Sequence, residues 1–331
     1  MTKILISFLL SFTLSLVLMP IIISLFKKRK ASQTILNYVE NHKEKNGTLT
    51  MGGVVFIITT LSLAFLVLDF NTDWLMVLLS SVFFGLLGFM DDYLKIKYRQ
   101  NLGLRAYQKI IGQLGISIIL ALYIYFFGQG GNICIPFLDI SIDIGFLVIP
   151  LVIFVMVAIT NSVNLTDGLD GLAGNVSFYY LVFFTITNAV IANNLYLSGD
   201  TSEYLTLLQN MNELSMLFAG SILAFLLFNT NKASIFMGDV GSLCLGGYIG
   251  ASACVLGLEF LLPILGFCFM FSAVSVIIQV VAFKWKKRRI FKMSPFHHHL
   301  QMSGLSEPKI VVIYSTATII IGVICVIFWI L

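Results

Sequence analysis

The residues best suited to chemistry fall into five short polar stretches, each set against a long apolar run. The densest is Asn161-Ser162-Val163-Asn164-Leu165-Thr166-Asp167-Gly168-Leu169-Asp170-Gly171-Leu172-Ala173-Gly174. Asn161, Asn164, Asp167 and Asp170 recur every third residue, as do Gly168, Gly171 and Gly174. A three-residue step on an α-helix drifts backward by about 60°, so the four polar groups do not share one face. The glycines predict that the helix opens near Asp167 into a loop able to wrap a ligand. Aspartates separated by small residues suit Mg2+, which takes oxygen ligands and keeps waters and substrate phosphates in its shell.

Gly88-Phe89-Met90-Asp91-Asp92-Tyr93-Leu94-Lys95 sets two carboxylates side by side. Crowded negative charge raises a pKa unless a cation is near, and a divalent metal is the usual remedy. An Asp91–Lys95 pair at i,i+4 accounts for Asp91 at a few tenths of a kcal/mol and leaves Asp92 without a purpose. In Phe228-Asn229-Thr230-Asn231-Lys232-Ala233-Ser234-Ile235-Phe236-Met237-Gly238-Asp239, Asp239 is placed to cap the next helix. Asn229 and Phe236 add an amide and a ring, the pair needed to hold a nucleobase. In the stretch from His42 to Gly53, Lys45, Thr50 and the paired glycines offer a cation and backbone N–H groups to a phosphate. Taken alone, that stretch reads better as a solvated loop before a helix whose glycines allow close packing. His297, His298 and His299 cannot all point one way, and no cysteine or acid at zinc spacing accompanies them. With Arg289 and Lys292 nearby they read as donors to phosphate or sugar groups. Together the five stretches point to Mg2+-assisted phosphoryl transfer between a lipid phosphate and a soluble nucleotide. No Walker A loop or kinase signature is present.

The elements that must position these groups lie in lipid. Of 331 residues, 58% are hydrophobic and 11% charged, against about 25% charged in a soluble domain. The apolar runs approach the ~20 residues of a spanning helix and lack the alternation of an outer-membrane barrel. The expectation is an all-α integral membrane protein, one transmembrane domain over residues 1–331. Ten spans are predicted near 4–26, 51–69, 74–90, 110–127, 145–160, 175–192, 212–228, 240–258, 261–283 and 310–330. Strict alternation then places 19 of the 20 Lys and Arg residues inside, leaving only Lys3 outside. Both termini are therefore expected outside, and the five polar stretches form a cleft facing the cytoplasm. The first run is not a signal peptide, because Lys27-Lys28-Arg29-Lys30 follows it rather than leading it. Residues 128–144 alternate weakly, as a short hairpin would. Phe283 to Phe291, with Lys284, Lys286, Lys287, Arg288 and Arg289, reads as a basic segment against anionic headgroups. The five cysteines have no pairing or metal spacing and read as small buried hydrophobes, and no nucleic-acid partner is expected.

The motifs also carry a resemblance. Gly47-Thr48-Leu49-Thr50-Met51-Gly52-Gly53, Asp91-Asp92-Tyr93-Leu94-Lys95, Asn164 to Ala173, Phe236-Met237-Gly238-Asp239 and the triple histidine are jointly specific. The chain resembles the polyprenyl-phosphate N-acetylhexosamine-1-phosphate transferases. Asn101-Leu102-Gly103-Leu104 with Lys109, and the histidines, look like the muramoyl-pentapeptide branch. The resemblance implies a Mg2+-dependent homodimer of ten spans in the bacterial cytoplasmic membrane. It would transfer phospho-MurNAc-pentapeptide from UDP-MurNAc-pentapeptide to undecaprenyl phosphate, giving lipid I and UMP for peptidoglycan synthesis, and with it cell-wall biogenesis, cell shape and division. By similarity Asp91, Asp92 and Asp239 are the catalytic carboxylates, with Asp167, Lys109 and His298 acting beside them. Asp239 and Asp167 would hold the metal, and Asp91 would serve as base for the lipid phosphate. Asn164, Asp167 and Lys109 would line the phosphate site, with Asn161 and Leu165 also among the substrate-binding residues. Asp170, Asn229 and Phe236 would hold the uridine, with Lys45, Thr50 and Gly168 beside them and His297 and His299 on the sugar-phosphate side.

Two positions depart from the family pattern. Leu49 stands where proline is usual, and Gln301 where a glutamate commonly follows the histidines. The second removes a charge beside the imidazoles and is expected to reduce turnover if that acid orients one. The rival readings are a sister transferase using a UDP-N-acetylhexosamine without the peptide, and a cation-coupled transporter, since broken helices and intramembrane acids also build ion sites.

Overall fold

The structure is a computed structural model that describes residues 2–29, 47–98, 100, 102–135, 140–199 and 202–330. Lys45 lies outside the described residues, as do His42 and Asn101. The helices are α1 (Thr2–Lys28), α2 (Val54–Val67), α3 (Thr72–Tyr98), α4 (Ala106–Phe127), α5 (Val148–Thr166), α6 (Leu172–Leu197), α7 (Glu203–Asn229), α8 (Gly238–Val255), α9 (Leu262–Leu265), α10 (Phe267–Lys286), α11 (Phe296–Gln301) and α12 (Glu307–Ile330). Between α4 and α5, strands β1 (Asn132–Ile135) and β2 (Ile140–Asp143) pair antiparallel, with Asn132 opposite Asp143. This is the hairpin that the alternation of 128–144 predicts.

A helix stands at each of the ten positions expected to span, and eight are long and apolar enough to cross a membrane. The other two differ for physical reasons. At 14 residues, α2 rises only ~21 Å at 1.5 Å per residue. In α8 every residue from Val240 to Val255 is buried by protein. A helix that meets no lipid has no need of large apolar side chains, and Gly241, Gly246, Gly247 and Gly250 lower its hydropathy.

Those glycines set the architecture. α3 and α8 form the most extensive helix pair, and α5 packs on α8 from another side. A Cβ on Gly247 would lie 2.9 Å from Phe84, and one on Gly88 would lie 2.1 Å from the backbone oxygen of Asp239. Absent side chains thus let the backbones approach, as small residues do in membrane bundles. Around this centre α7 packs against α1, α2 and α6, and α12 closes on α6. Buried hydroxyls stitch the layers: Ser15 bonds Thr59 and Ser221, each at 2.8 Å, joining α1, α2 and α7. Ser81 donates to the Cys244 carbonyl at 2.8 Å, joining α3 to α8. Cys244, Cys254, Cys268 and Cys325 are buried and form no disulfide among the described residues.

Candidate active site

Three helix ends converge on one group of carboxylates. Asp91 and Asp92 lie in the last two turns of α3 and are both buried, while Asp239 is in the first turn of α8. One carboxylate oxygen from each falls within 4.8 Å of the others. Lys95 reaches all three: it pairs with Asp91, with Asp92 Oδ1 at 3.4 Å and with Asp239 Oδ2 at 3.0 Å. Lys109, in the first turn of α4, reaches Asp239 Oδ2 at 2.7 Å. Asn164, near the end of α5, donates to Asp239 Oδ1 and to Ser242 Oγ, both at 2.8 Å. Lys95, which the sequence pairs with Asp91 alone, is therefore the common counter-charge of the site.

The loops explain how each carboxylate is held. The Leu104 N–H donates to Asp91 Oδ1 at 2.8 Å, and a Cβ on Gly103 would strike that carboxylate at 2.6 Å. The Val240 N–H donates to Asp92 Oδ2 at 3.2 Å. Asp92 thus supplies the N-terminal acceptor of α8, a partner for one of the four orphan donors of a helix start. Asp92 therefore also has a structural bond, and the capping expectation for Asp239 is corrected: it faces lysines and an amide instead of capping its own helix.

The segment expected to open does so. α5 ends at Thr166, Asp167 leaves helical geometry, and α6 begins after Gly171, whose φ is 75°. Burial, with Asp239, Asp92 and Asp170 around it, pushes the Asp167 carboxyl up to about 8. A neutral acid beside three carboxylates marks a locality short of positive charge. Among the described residues the ligand atoms close enough to share an ion are those of Asp91, Asp92 and Asp239; Asp167, expected as a ligand with Asp239, is outside that group. A second observation fits an oxygen-seeking cation or anion-bridging water: Thr50 Oγ1 is buried without a partner. A Cβ on Gly238 would lie 3.0 Å from that hydroxyl and 2.5 Å from Asp92 Oδ2.

The proposed nucleotide residues sit on the adjoining loops. Asn229 Oδ1 accepts from the Gly171 N–H at 3.0 Å, and its Nδ2 donates to the Ile235 carbonyl at 2.8 Å. Asp170 Oδ2 accepts from the Ala233 N–H at 3.2 Å. Both residues tie the 167–171 turn to the 230–235 turn, which shapes a wall, and Phe236 stands half-buried beside it. The Phe236 N–H donates to the Leu49 carbonyl at 2.7 Å, and Gly52 and Gly53 donate to the Phe236 and Met237 carbonyls, each at 2.9 Å. The Gly52 and Gly53 N–H groups are thus spent on this short pairing, in line with the close-packing reading of this stretch rather than a phosphate cradle. A Cβ on Gly53 would lie 2.1 Å from Gly241 Cα, so close packing is what these glycines provide. Leu165 is half-buried at the end of α5. Asn161 pairs reciprocally with Gln113 of α4, at 2.8 and 3.3 Å, and therefore fixes α5 against α4.

The histidines divide by role. His297 is fully buried and neither ring nitrogen has a partner. A Cβ on Gly168 would meet His297 Nε2 at 2.3 Å and His298 Nε2 at 3.2 Å, so both imidazoles abut the Asp167–Asp170 turn. Burial and the neighbouring His298 push His297 down to about 3. His298 Nδ1 lies 3.1 Å from Gln301 Oε1, and Gln301 Nε2 donates to Glu307 Oε1 at 3.3 Å. The second bond fixes the amide's orientation, so Oε1 accepts from His298 and leaves Nε2 toward Gly168. The position of the usual glutamate is thus filled by an amide with an acid one step behind. His299 accepts from the Lys292 N–H at 3.1 Å and packs on Phe291 and Phe296, which makes it a support of its own segment.

Comparison with known proteins agrees with this geometry. A family model described as glycosyl transferase family 4 matches residues 74–257, the span holding every carboxylate of the site. The phospho-N-acetylmuramoyl-pentapeptide-transferase of Clostridium novyi is 41% identical over 95% of this chain and 93% of its own length. Those of Clostridium botulinum and Halalkalibacterium halodurans are 42% and 39% identical, over 96% and 97% of this chain and 93% and 96% of their own lengths. The chain belongs to the phospho-N-acetylmuramoyl-pentapeptide-transferases of glycosyl transferase family 4. In this transferase the residues that sequence reasoning overlooked are Gln113 and Ser242, which position Asn161 and Asn164. The signal was there for Gln113, an amide inside an apolar helix, where polar groups are rare without a task.

Proposed function

We propose that the chain transfers phospho-MurNAc-pentapeptide from UDP-MurNAc-pentapeptide to undecaprenyl phosphate, producing lipid I and UMP. The observation that carries this reading is the convergence of Asp91, Asp92, Asp239, Lys95 and Lys109 at helix ends in a member of this transferase family. Three carboxylates against two ammonium groups leave one negative charge uncompensated, before Asp167 is considered. Mg2+ held by Asp239 with Asp91 and Asp92 would supply that charge and neutralise the diphosphate. Asp91 takes the proton of the lipid phosphate. An oxygen of that phosphate then bonds to the β-phosphorus, the bond from that phosphorus to the bridging oxygen breaks, and UMP leaves with its electron pair. Lys109 and Lys95 follow the shifting charge. Direct attack is favoured because each carboxylate already accepts from a lysine, an amide or a backbone N–H, which blunts it as a nucleophile.

The placement of 19 of 20 basic residues supports ten spans with both termini outside and the site open to the cytoplasm of a bacterial cell membrane. The protein acts there as a homodimer. Phe236 stacks on the uracil, and His298 meets the sugar-phosphate. A membrane assay decides between this reading and the sister transferase: UDP-MurNAc-pentapeptide and UDP-GlcNAc are each offered with undecaprenyl phosphate. UMP release is expected from the first alone, with no burst when the lipid is withheld. Asp239→Asn is expected to abolish Mg2+-dependent release in a protein that still inserts; near-normal turnover would sink the ligand role. Ion-driven vesicle uptake without UMP release would favour the transporter.

A further inference from the structure

Away from the carboxylates, the inner end of α10 forms a pocket of about 350 Å³ with the 289–294 segment. Its apolar walls are Val280 and Phe283, 45% and 50% exposed. Lys284, Arg289 and Ser294 also line it. The pocket is built by Gln279, which is nearly buried. Its Oε1 accepts from the Ile290 and Phe291 N–H groups, and its Nε2 donates to the Phe291 carbonyl, all at 3.0 Å. The chain reverses at Lys287, whose φ is 51°, so these bonds fold the strongly basic return back along the helix.

Lys284, Lys286, Lys287, Arg288 and Arg289 are thereby gathered, and among the described residues none of the five pairs with a carboxylate. Only Arg289 spends a donor internally, on the Lys292 carbonyl at 3.4 Å. Five like charges with no carboxylate partner among the described residues set up a positive field that favours an anion from outside. Its surroundings say which kind: the walls are lipid-facing, and Trp285, 83% exposed beside them, marks the headgroup level.

We propose that this pocket binds the phosphodiester headgroup of an anionic phospholipid of the inner leaflet, with an acyl chain against Val280 and Phe283. A bilayer phospholipid is favoured over the carrier substrate because none of the residues lining the pocket belongs to the carboxylate group. Because the same segment leads directly into α11 and His297, headgroup binding also steadies the histidine helix.

The test uses the full chain in phosphatidylcholine nanodiscs with dansyl-phosphatidylglycerol or dansyl-phosphatidylcholine, reading energy transfer from Trp285. Transfer to the glycerol lipid is expected to exceed that to the choline lipid. Lys284→Gln and Arg289→Gln are each expected to weaken it about fivefold, and the double variant roughly 30-fold, the scale for basic side chains at an anionic surface. Lys284→Arg with Arg289→Lys is expected to retain it, and thermal unfolding monitors the fold of each variant. Equal transfer to both lipids, or an excess that survives the double glutamine variant, would overturn the proposal. So would displacement by millimolar inorganic phosphate, which would reveal a soluble-anion site, or by undecaprenyl phosphate at equimolar amounts, which would reveal a carrier site.

Discussion

Gly88→Ala tests whether the spacing of α3 and α8 is what assembles the site. The new Cβ would lie 2.1 Å from the Asp239 carbonyl oxygen, against the 3.4 Å at which ordinary contact begins, so the backbones must part by about 1.3 Å. The obstacle is backbone, so no side chain can swing aside to absorb the clash. Asp91 and Asp92 follow Gly88 by one helical turn, and Asp239 itself carries the clashing oxygen. The separation is therefore transmitted to the pairs Lys95–Asp239 and Val240–Asp92, now 3.0 and 3.2 Å. Overpacking of this kind lowers stability by about 1–3 kcal/mol, and a misplacement of about 1 Å at a reacting centre lowers a rate on the order of 100-fold. The assay is UMP release by purified protein, with thermal unfolding in detergent measured alongside. Gly115→Ala in α4 is the control, since nothing lies within 4 Å of its added Cβ, and it should keep both activity and stability. Gly88→Ala with activity within twofold of the parent would refute the idea that this approach sets the catalytic geometry.

Phe236→Ala is expected to raise the nucleotide KM by about 10-fold with kcat little changed, because stacking of about 1–3 kcal/mol acts before and during reaction; a loss confined to kcat would contradict the placement. Gln301→Ala should lower kcat by roughly fivefold through loss of the His298 bond, at about 1 kcal/mol, whereas Gln301→Glu should retain most activity; an alanine variant at the parental rate would remove the orienting role. Folded His297 has its pKa depressed to about 3 from 6.5, so the unfolded chain binds the proton first. Its contribution to stability is complete above about pH 6.5 and is lost as pH falls from there toward 3. At pH 4.5, two units below the unfolded value, the loss is roughly 3 kcal/mol at 1.36 kcal/mol per unit. Melting temperatures from pH 7.5 to 4.5 should fall less steeply in His297→Gln, and parallel curves would remove His297 as the cause.

What the sequence reveals and what it hides follow from one distinction. Features set within a single segment are legible: the break at Asp167, the hairpin at 132–143 and the ten apolar runs all come from local composition and periodicity. Features set by the register of one helix against another are not. Asp92 shows no structural partner in sequence because that partner, the Val240 N–H, is 148 residues away. Lys95 looks spoken for by Asp91 because only the α3–α8 crossing shows Asp239 within its reach. Gly52 and Gly53 leave both a phosphate cradle and close packing open in sequence, and only their pairing with Phe236 and Met237 shows their N–H groups to be used. Gln301 looks like a loss of charge until Glu307 appears behind it. In each case the missing information is a distance between helices, and glycine contacts at Gly53, Gly88 and Gly241 set that distance. The acids define which chemistry is available, and the glycines decide whether those acids meet.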